Sequence, residues 1–134
     1  MTPVRIRADA PVHPSEDPAK VEAAITNVFD GAVDRRRFSV TATAADASAL
    51  VHVQEAIRTG AESQGAYRRS LEENLHDNTT WFYLNKQAAS AGRVAICREA
   101  DESPLGPIKI TITAPAADPE LVIRWLLGGA PGSA

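Results

Sequence analysis

The sequence predicts an α+β domain with a mainly antiparallel sheet of about five strands, helices packed on one face, and the order β-α-β-α-α-β-β-β-α. Segments with apolar residues at every second position, typical of half-buried strands, alternate with segments of helical periodicity. Three strand-like segments follow one another late in the chain, which favours an antiparallel meander, and the amphipathic helices need a sheet to cover. We predict a single domain over residues 1–128 and a flexible tail over 129–134.

The first half of the chain divides at clear start and stop signals. Residues 4–12 alternate apolar and charged side chains and predict the first strand. Asp17, or alternatively Ser15, is the expected N-cap of a helix with Pro18 in its first turn. The buried stripe of this helix is predicted to be Val21, Ala24, Ile25 and Val28. Residues 36–44 predict a second strand, and its core-facing side chains are expected to be Phe38, Val40 and Ala42.

The second half begins with two helices and ends with one. Asp46 is the expected cap of a helix that ends at Gly60, and residues 62–75 predict the next helix. Asp118 and Pro119 repeat the pattern of cap and proline at the start of the last helix. The apolar stripes of the three helices are Leu50, Val53 and Ile57; Tyr67, Leu71 and Leu75; and Leu121, Val122, Trp125 and Leu126. The intervening strands are predicted over residues 79–85, about 93–98, and 107–114.

Composition and motifs limit the classes of function. The net charge of −3 argues against a protein that coats nucleic acid through bulk positive charge. No apolar run approaches the ~20 residues of a membrane span, and charges interrupt the N-terminus where a signal peptide would be apolar. Cys97 is the single cysteine, so no internal disulfide forms. We therefore expect a cytoplasmic protein with no membrane contact.

Catalytic and metal-binding patterns are missing from the sequence. The three histidines, His13, His52 and His76, have neither the spacing of a metal site nor a cysteine partner. No phosphate-binding loop, dinucleotide fingerprint or nucleophile elbow occurs. The sequence predicts a non-enzymatic protein without cofactor or metal, and an enzyme of unknown type is the weakest of the alternatives.

Alternation also assigns side chains to the face of the sheet that the helices leave open. Trp81, Phe82 and Tyr83 are adjacent, so Phe82 is expected in the core and its two neighbours on the open face. The predicted open face is rich in hydroxyl and basic groups, and its only acid is Asp9. Its basic and aromatic members are Arg5, Arg7, Arg37, Trp81, Tyr83, Arg93 and Lys109. Phosphate neutralisation combined with base stacking requires such a surface.

Three interpretations of this face stay open. RNA contact is one; a homodimer interface, where arginine and aromatic residues are also enriched, is another. Antiparallel sheets also commonly have one solvated face, which is the third. Next to the face, Asn85, Lys86 and Gln87 form a polar cluster at a strand end. Their side chains suit contacts to phosphates or bases, and equally suit the backbone groups of the adjoining loop.

Three blocks of the sequence resemble the archaeal uncharacterised protein family 0201. They are APVHPSEDPAKVEAAITNVF near the N-terminus, NTTWFYLNKQAASAGRV, and ESPLGPIKITI. The pair FYLNKQAA and SPLGPI is the specific part of this resemblance, whereas residues 31–75 match only in pattern. The matching positions are Phe82 to Ala89, Gly92, and Ser103 to Ile108.

The resemblance implies an α+β fold similar to that of the ribosomal protein that binds 5S rRNA, a homodimer, and RNA binding. Together with the basic, aromatic face it predicts a non-catalytic RNA-binding protein in ribosome or RNA metabolism. The alternative is a dimeric interaction module whose open face is the interface. The predicted RNA-binding residues are Arg5, Arg7, Arg37, Trp81, Tyr83, Asn85, Lys86, Gln87, Arg93 and Lys109.

Overall fold

The computed structural model describes residues 4–60, 64–114 and 119–127. Within them the chain forms a six-stranded sheet and five helices. The strands are β1 (Arg5–Pro11), β2 (Ala32–Arg35), β3 (Ser39–Ala44), β4 (Thr79–Leu84), β5 (Ile96–Cys97) and β6 (Ile108–Thr113). The helices are α1 (Pro18–Val28), α2 (Val51–Arg58), α3 (Gln64–Glu73), α4 (Lys86–Ser90) and α5 (Pro119–Leu126). The predicted fold class, α+β with an antiparallel sheet, is confirmed.

The strand order in the sheet is β2-β3-β1-β6-β4-β5, and every neighbouring pair is antiparallel. The predicted meander of the last three strands is therefore wrong, because β6 passes β5 and inserts between β1 and β4. Burial explains this position. Ile108, Ile110 and Ile112 are all buried. A central position in the sheet lets such a strand pair along both of its edges, whereas the two-residue β5 suits the edge of the sheet.

The core lies between the helices and the inward residues of the strands. Phe82 of β4 packs edge-on against Tyr67 of α3, with ring centroids 5.5 Å apart. The predicted stripes of α1 and α2 are buried, as are Tyr67 and Leu71 of α3. In α5 the buried residues are Ile123 and Leu126, followed by Leu127, while Val122 and Trp125 are half-buried.

Side-chain caps start the first two helical segments, as predicted. The Asp17 carboxylate accepts a hydrogen bond from the Ala19 amide at 2.9 Å, and Pro18 occupies the first helical position, where no amide hydrogen is needed. Asp46 accepts from the Ser48 amide at 2.8 Å. It opens a 3-10 turn over Ala47–Leu50 that leads directly into α2.

Residues 32–44 form a hairpin where one strand over 36–44 was expected. Strand β2 pairs with β3 in the register Arg35 to Val40, and the chain turns at residues 36–38. Val40 and Ala42 face the core as predicted, but Phe38 does not: it lies in the turn, and 64% of it is exposed. The apolar alternation continues into the turn, so periodicity alone places the start of the strand too early.

A second difference lies between β4 and β6. The loop that follows β4 contains helix α4, and the strand predicted over 93–98 is reduced to β5. The Asn85 carboxamide accepts from the Ala88 amide at 2.8 Å and caps α4. Asparagine is a favoured N-cap residue, and this capping starts a helical turn in residues 86–92, for which the sequence allows either a loop or a helical turn.

Some predictions lie outside the described residues or stay untested. The Asp118 cap, the tail over 129–134, the first two residues of the predicted helix 62–75 and the side chain of Leu121 fall outside the described part. The likeness to the 5S-rRNA-binding ribosomal protein stays a prediction. None of the helices in the described ranges is long and apolar enough to cross a membrane.

Candidate nucleic-acid interface

The open face of the sheet is built from cross-strand rows. Antiparallel pairing places the paired side chains of each row on the same side of the sheet. We use the name open face for the three rows that cross strands β3, β1, β6 and β4. The rows are Arg5, Thr113 and Thr79; Thr43, Arg7, Thr111 and Trp81; and Thr41, Asp9, Lys109 and Tyr83. The structure thus brings five of the ten predicted site residues together: Arg5, Arg7, Trp81, Tyr83 and Lys109.

Alternating apolar and polar residues produce this face. In β6 the sequence IKITIT buries each isoleucine and leaves Lys109, Thr111 and Thr113 half-buried on the other side. The sequence TTWFYL does the same in β4, where Trp81 and Tyr83 are half-buried on the open side. A half-buried ring on a flat sheet is held in place by its neighbours and still presents surface to a ligand.

The charge of the open face is positive although the chain is acidic. Arg5, Arg7 and Lys109 oppose a single carboxylate, Asp9. The Arg7 Nε lies 2.8 Å from Asp9 Oδ2, and the Thr41 hydroxyl donates to Asp9 Oδ1 at 2.9 Å. The Asp9 carboxylate is therefore bound to two neighbouring side chains of the open face, Arg7 and Thr41. Within the described part of the chain, Arg5 has no ion-pair partner.

A cation lies over one of the two aromatic rings. The Lys109 ammonium is 4.7 Å from the centroid of the Trp81 ring, within the range of a cation–π interaction. Lys109 is paired in the sheet register with Tyr83, the other ring. One lysine is therefore a neighbour of both rings that could stack on a base.

Two of the residues predicted on the open face, Arg37 and Arg93, lie away from its rows. Arg37 is in the exposed turn between β2 and β3, at one end of the sheet. Arg93 was expected on the open side of a strand, and this prediction is wrong. It follows α4 in a loop and lines a groove of about 520 Å³ with Asn27, His52 and Glu55, residues that belong to the helical layer or border it. The short β5 leaves Arg93 outside the sheet, so strand alternation does not apply to it.

Lys86 is the clearest correction to the predicted site, because its side chain is buried and only 1% exposed. Its ammonium donates to the Pro11 carbonyl at 2.8 Å, to Glu16 Oε1 at 2.8 Å and to the Leu105 carbonyl at 2.9 Å. Three acceptors satisfy all three donors of an ammonium. Lys86 therefore joins the β1–α1 loop, α4 and the turn before β6, and it offers nothing to an external ligand.

The neighbours of Lys86 also serve the local backbone. Asn85 is the cap of α4. The Gln87 carboxamide donates to the Pro104 carbonyl at 2.9 Å, and the Ser103 hydroxyl accepts from the Lys86 amide at 3.0 Å. Of the two interpretations open for this cluster, the structure favours the satisfaction of loop backbone groups. These contacts join the LNKQ and SPLG segments, which are the specific part of the family resemblance.

Glu16 is the ionic partner that sequence reasoning missed. Burial of its side chain raises the pKa of the carboxyl, but the hydrogen bond from Lys86, the hydrogen bond from the His13 amide and the Lys86 charge together hold the pKa below the ordinary value of 4.5. The partners are 70 residues apart in the chain, so no local pattern marks them. Cys97, the single cysteine, pairs with Tyr83 in the register and is buried.

Across the described ranges, the structure contains no group of three histidine, cysteine, aspartate or glutamate side chains that could hold a metal ion. The polar groups of the open face are its cations, its hydroxyls and the single carboxylate of Asp9.

Comparison with known proteins places the chain in a family. A family model described as RNA binding matches residues 5–114. The UPF0201 protein of Sulfurisphaera tokodaii is 37% identical over 126 residues, which cover 91% of this chain and 86% of that protein. A UPF0201 protein of Methanothermobacter thermautotrophicus is 35% identical over 122 residues, 91% of this chain and 89% of that protein.

A solved structure agrees with these relatives. The crystal structure of a UPF0201 protein from Methanococcus jannaschii is similar to this fold with a TM-score of 0.76 and 26% sequence identity, and the match covers 97% of each chain. Sequence and structure agree over nearly the same residues, and the resemblance of the three sequence blocks is confirmed. The chain belongs to the UPF0201 family, and the family model that matches it is described as RNA binding.

Proposed function

We propose that this chain is a non-catalytic RNA-binding protein of the cytoplasm, acting in ribosome or RNA metabolism, and that the open face is its RNA-binding surface. The observation that carries the proposal is the combination of Arg5, Arg7 and Lys109 with two half-buried rings, Trp81 and Tyr83, on one uncovered side of an acidic protein. The description of the matching family model supports the choice of RNA.

The cations define how the affinity depends on salt. Each phosphate that is neutralised on a single strand releases counterions, and the logarithm of the binding constant falls with the logarithm of salt by about 0.7 per phosphate. Arg5, Arg7 and Lys109 can neutralise three phosphates, so the expected slope is about −2. Arg7 keeps this capacity because Asp9 engages its Nε and leaves the terminal guanidinium nitrogens for a phosphate.

The rings define where bases bind. The Lys109 ammonium covers Trp81 in the free protein, and such a cation–π contact is worth about 0.5–1 kcal/mol at an exposed site. A base stacked on an aromatic side chain is worth about 1–3 kcal/mol. Stacking on Trp81 is therefore favourable enough to displace Lys109, whose ammonium is then free to contact a phosphate. Tyr83 lies beside it as the second stacking surface.

The proposal is tested by RNA binding of the variant Arg5→Gln/Tyr83→Leu/Lys109→Gln. Filter binding of single-stranded and structured RNA over a salt series should show weaker binding and a smaller salt slope than the wild type. Arg93→Gln is the matched control, since it removes an exposed cation from the groove on the helical side. Equal affinity of the triple variant and the wild type would reject the open face as the binding surface.

A homodimer that buries the open face is the second candidate. Half-buried Trp81 and Tyr83 beside arginine favour it, because protein interfaces are enriched in the same residues. Light scattering gives the mass of the wild type, and Tyr83→Asp tests the surface. A dimer that becomes a folded monomer in this variant supports the interface. A monomeric wild type, or a Tyr83→Asp variant that remains a dimer, counts against it.

A further inference from the structure

The turn between β2 and β3 carries a second group of cations with an aromatic ring. Residues 35–38 read Arg-Arg-Arg-Phe. Phe38 is 64% exposed, the highest value among the large apolar side chains of the described residues. The Arg37 guanidinium carbon lies 5.3 Å from the centroid of its ring. We call residues 36–38 the hairpin tip.

The backbone of the hairpin tip is anchored at both ends. The Arg36 amide donates to the Ser39 carbonyl at 2.8 Å and closes the turn. The Val12 amide, just beyond β1, donates to the Phe38 carbonyl at 2.8 Å and ties the tip to the sheet. The ring is therefore exposed on a fixed backbone, and the entropy lost when it binds a ligand is small.

The ion pairs of the hairpin leave one of its arginines for a ligand. Arg35 pairs with Glu22 at 3.6 Å, and Arg36 pairs with Asp34 at 2.9 Å. Arg37 has no carboxylate partner in the described part of the chain. The tip thus offers an exposed ring with an available cation beside it.

We propose that the hairpin tip is a separate contact for an unpaired base of RNA, which stacks on Phe38 while Arg37 binds the adjoining phosphate. This inference rests on the proposed function. The contact at the hairpin tip adds a substrate class to the proposed function: RNA with unpaired nucleotides, such as a loop or a single-stranded end, rather than a continuous duplex. Bases in a duplex are stacked on one another and cannot reach an external ring.

The position of the tip fits a joint site with the open face. Thr41 lies three residues after Phe38, and two strand spacings separate β3 from β6, so the tip is on the order of 14 Å from Lys109. A site of about 4 nucleotides or more, as single-strand-binding surfaces use, spans this distance. An anionic membrane would also attract a basic, aromatic tip. A single ring buries little apolar area in a bilayer, and we therefore favour RNA as the ligand of the tip.

The test compares two RNA probes, three variants of Phe38 and one variant of the open face. One probe is a fluorescein-labelled RNA hairpin with a loop of unpaired uridines, and the other is a blunt duplex with the same stem. Phe38→Ala should bind the loop probe about tenfold more weakly and change duplex binding by less than about twofold. Phe38→Trp should restore loop binding, whereas Phe38→Leu, which keeps apolar bulk without a π face, should not.

The outcomes separate the two proposals. If Phe38→Ala binds the loop probe like the wild type while Arg5→Gln/Lys109→Gln binds it more weakly, the tip is overturned and the open face stands. A wild type that binds neither probe overturns both. Cosedimentation with vesicles of phosphatidylcholine and phosphatidylserine is the remaining arm. Vesicle binding that depends on Phe38, with loop binding unchanged in Phe38→Ala, would make the tip a membrane contact and overturn the RNA contact.

Discussion

Replacement of Lys86 by methionine tests whether this residue has a structural role. Methionine retains an apolar side chain as far as Cε and removes the ammonium. The Pro11 and Leu105 carbonyls then lose a donor each, and Glu16 loses its counter-ion. Breaking a buried ion pair by removing one partner costs about 3–5 kcal/mol.

The lower end of this range is expected, because the Glu16 side chain is 16% exposed and keeps the hydrogen bond from the His13 amide. A loss of about 3 kcal/mol lowers the folding equilibrium constant by roughly two orders of magnitude. With a denaturant slope of about 2 kcal/mol per molar urea, the midpoint should fall by about 1.5 M.

Urea unfolding followed by circular dichroism measures this shift. Lys20→Met is the matched control, since Lys20 is exposed on α1 and surface substitutions stay within about 0.5 kcal/mol. The double variant Glu16→Gln/Lys86→Met should lose less stability than the two single variants combined, because they share one interaction. A Lys86→Met protein with wild-type stability and lost RNA affinity would refute the structural role.

Three further predictions follow from the same contacts. The folded pKa of Glu16 is lowered from 4.5, so its ionised form stabilises the fold above that pH, and this contribution is lost as the pH falls toward the folded pKa. The urea midpoint should therefore fall more steeply with acid in the wild type than in Glu16→Gln. Equal slopes would count against the pair with Lys86. Lys109→Gln should reduce the salt slope of RNA binding by about 0.7, and an unchanged slope would mean that Lys109 contacts no phosphate. Gly106→Ala should destabilise the fold by about 1–3 kcal/mol, because Gly106 has a φ of +94° and a Cβ there would lie 2.4 Å from the Pro11 Cγ. Thermal unfolding measures the loss of stability, and an unchanged Tm would contradict the close approach.

Local patterns predicted the elements whose causes are local. The Asp17 cap and the buried stripe of α1 depend on residues within a few positions of one another. The split of Trp81, Phe82 and Tyr83 between two faces follows from alternation in one strand. The open face could therefore be assembled in outline from the sequence, with Arg5, Arg7 and Lys109 assigned correctly to one side.

Long-range contacts decided the features that the sequence did not reveal. Lys86 reaches Pro11 across 75 residues and Glu16 across 70, and no local pattern distinguishes such a lysine from an exposed one. The place of β6 between β1 and β4 depends on which strands bury three isoleucines best, which is a property of the whole sheet. Arg37 and Arg93 were misplaced because strand periodicity was extended into a turn and a loop.

The site of RNA crosslinking directly tests whether the open face binds RNA. RNA that carries 4-thiouridine is bound at low salt and irradiated, and the crosslinked tryptic peptides are mapped. We expect crosslinks in residues 70–86, at Tyr83 and Trp81, and their loss in Tyr83→Leu/Lys109→Gln. Crosslinks confined to the helical side, such as the groove beside Arg93, or the absence of any crosslink, would contradict RNA binding by the open face.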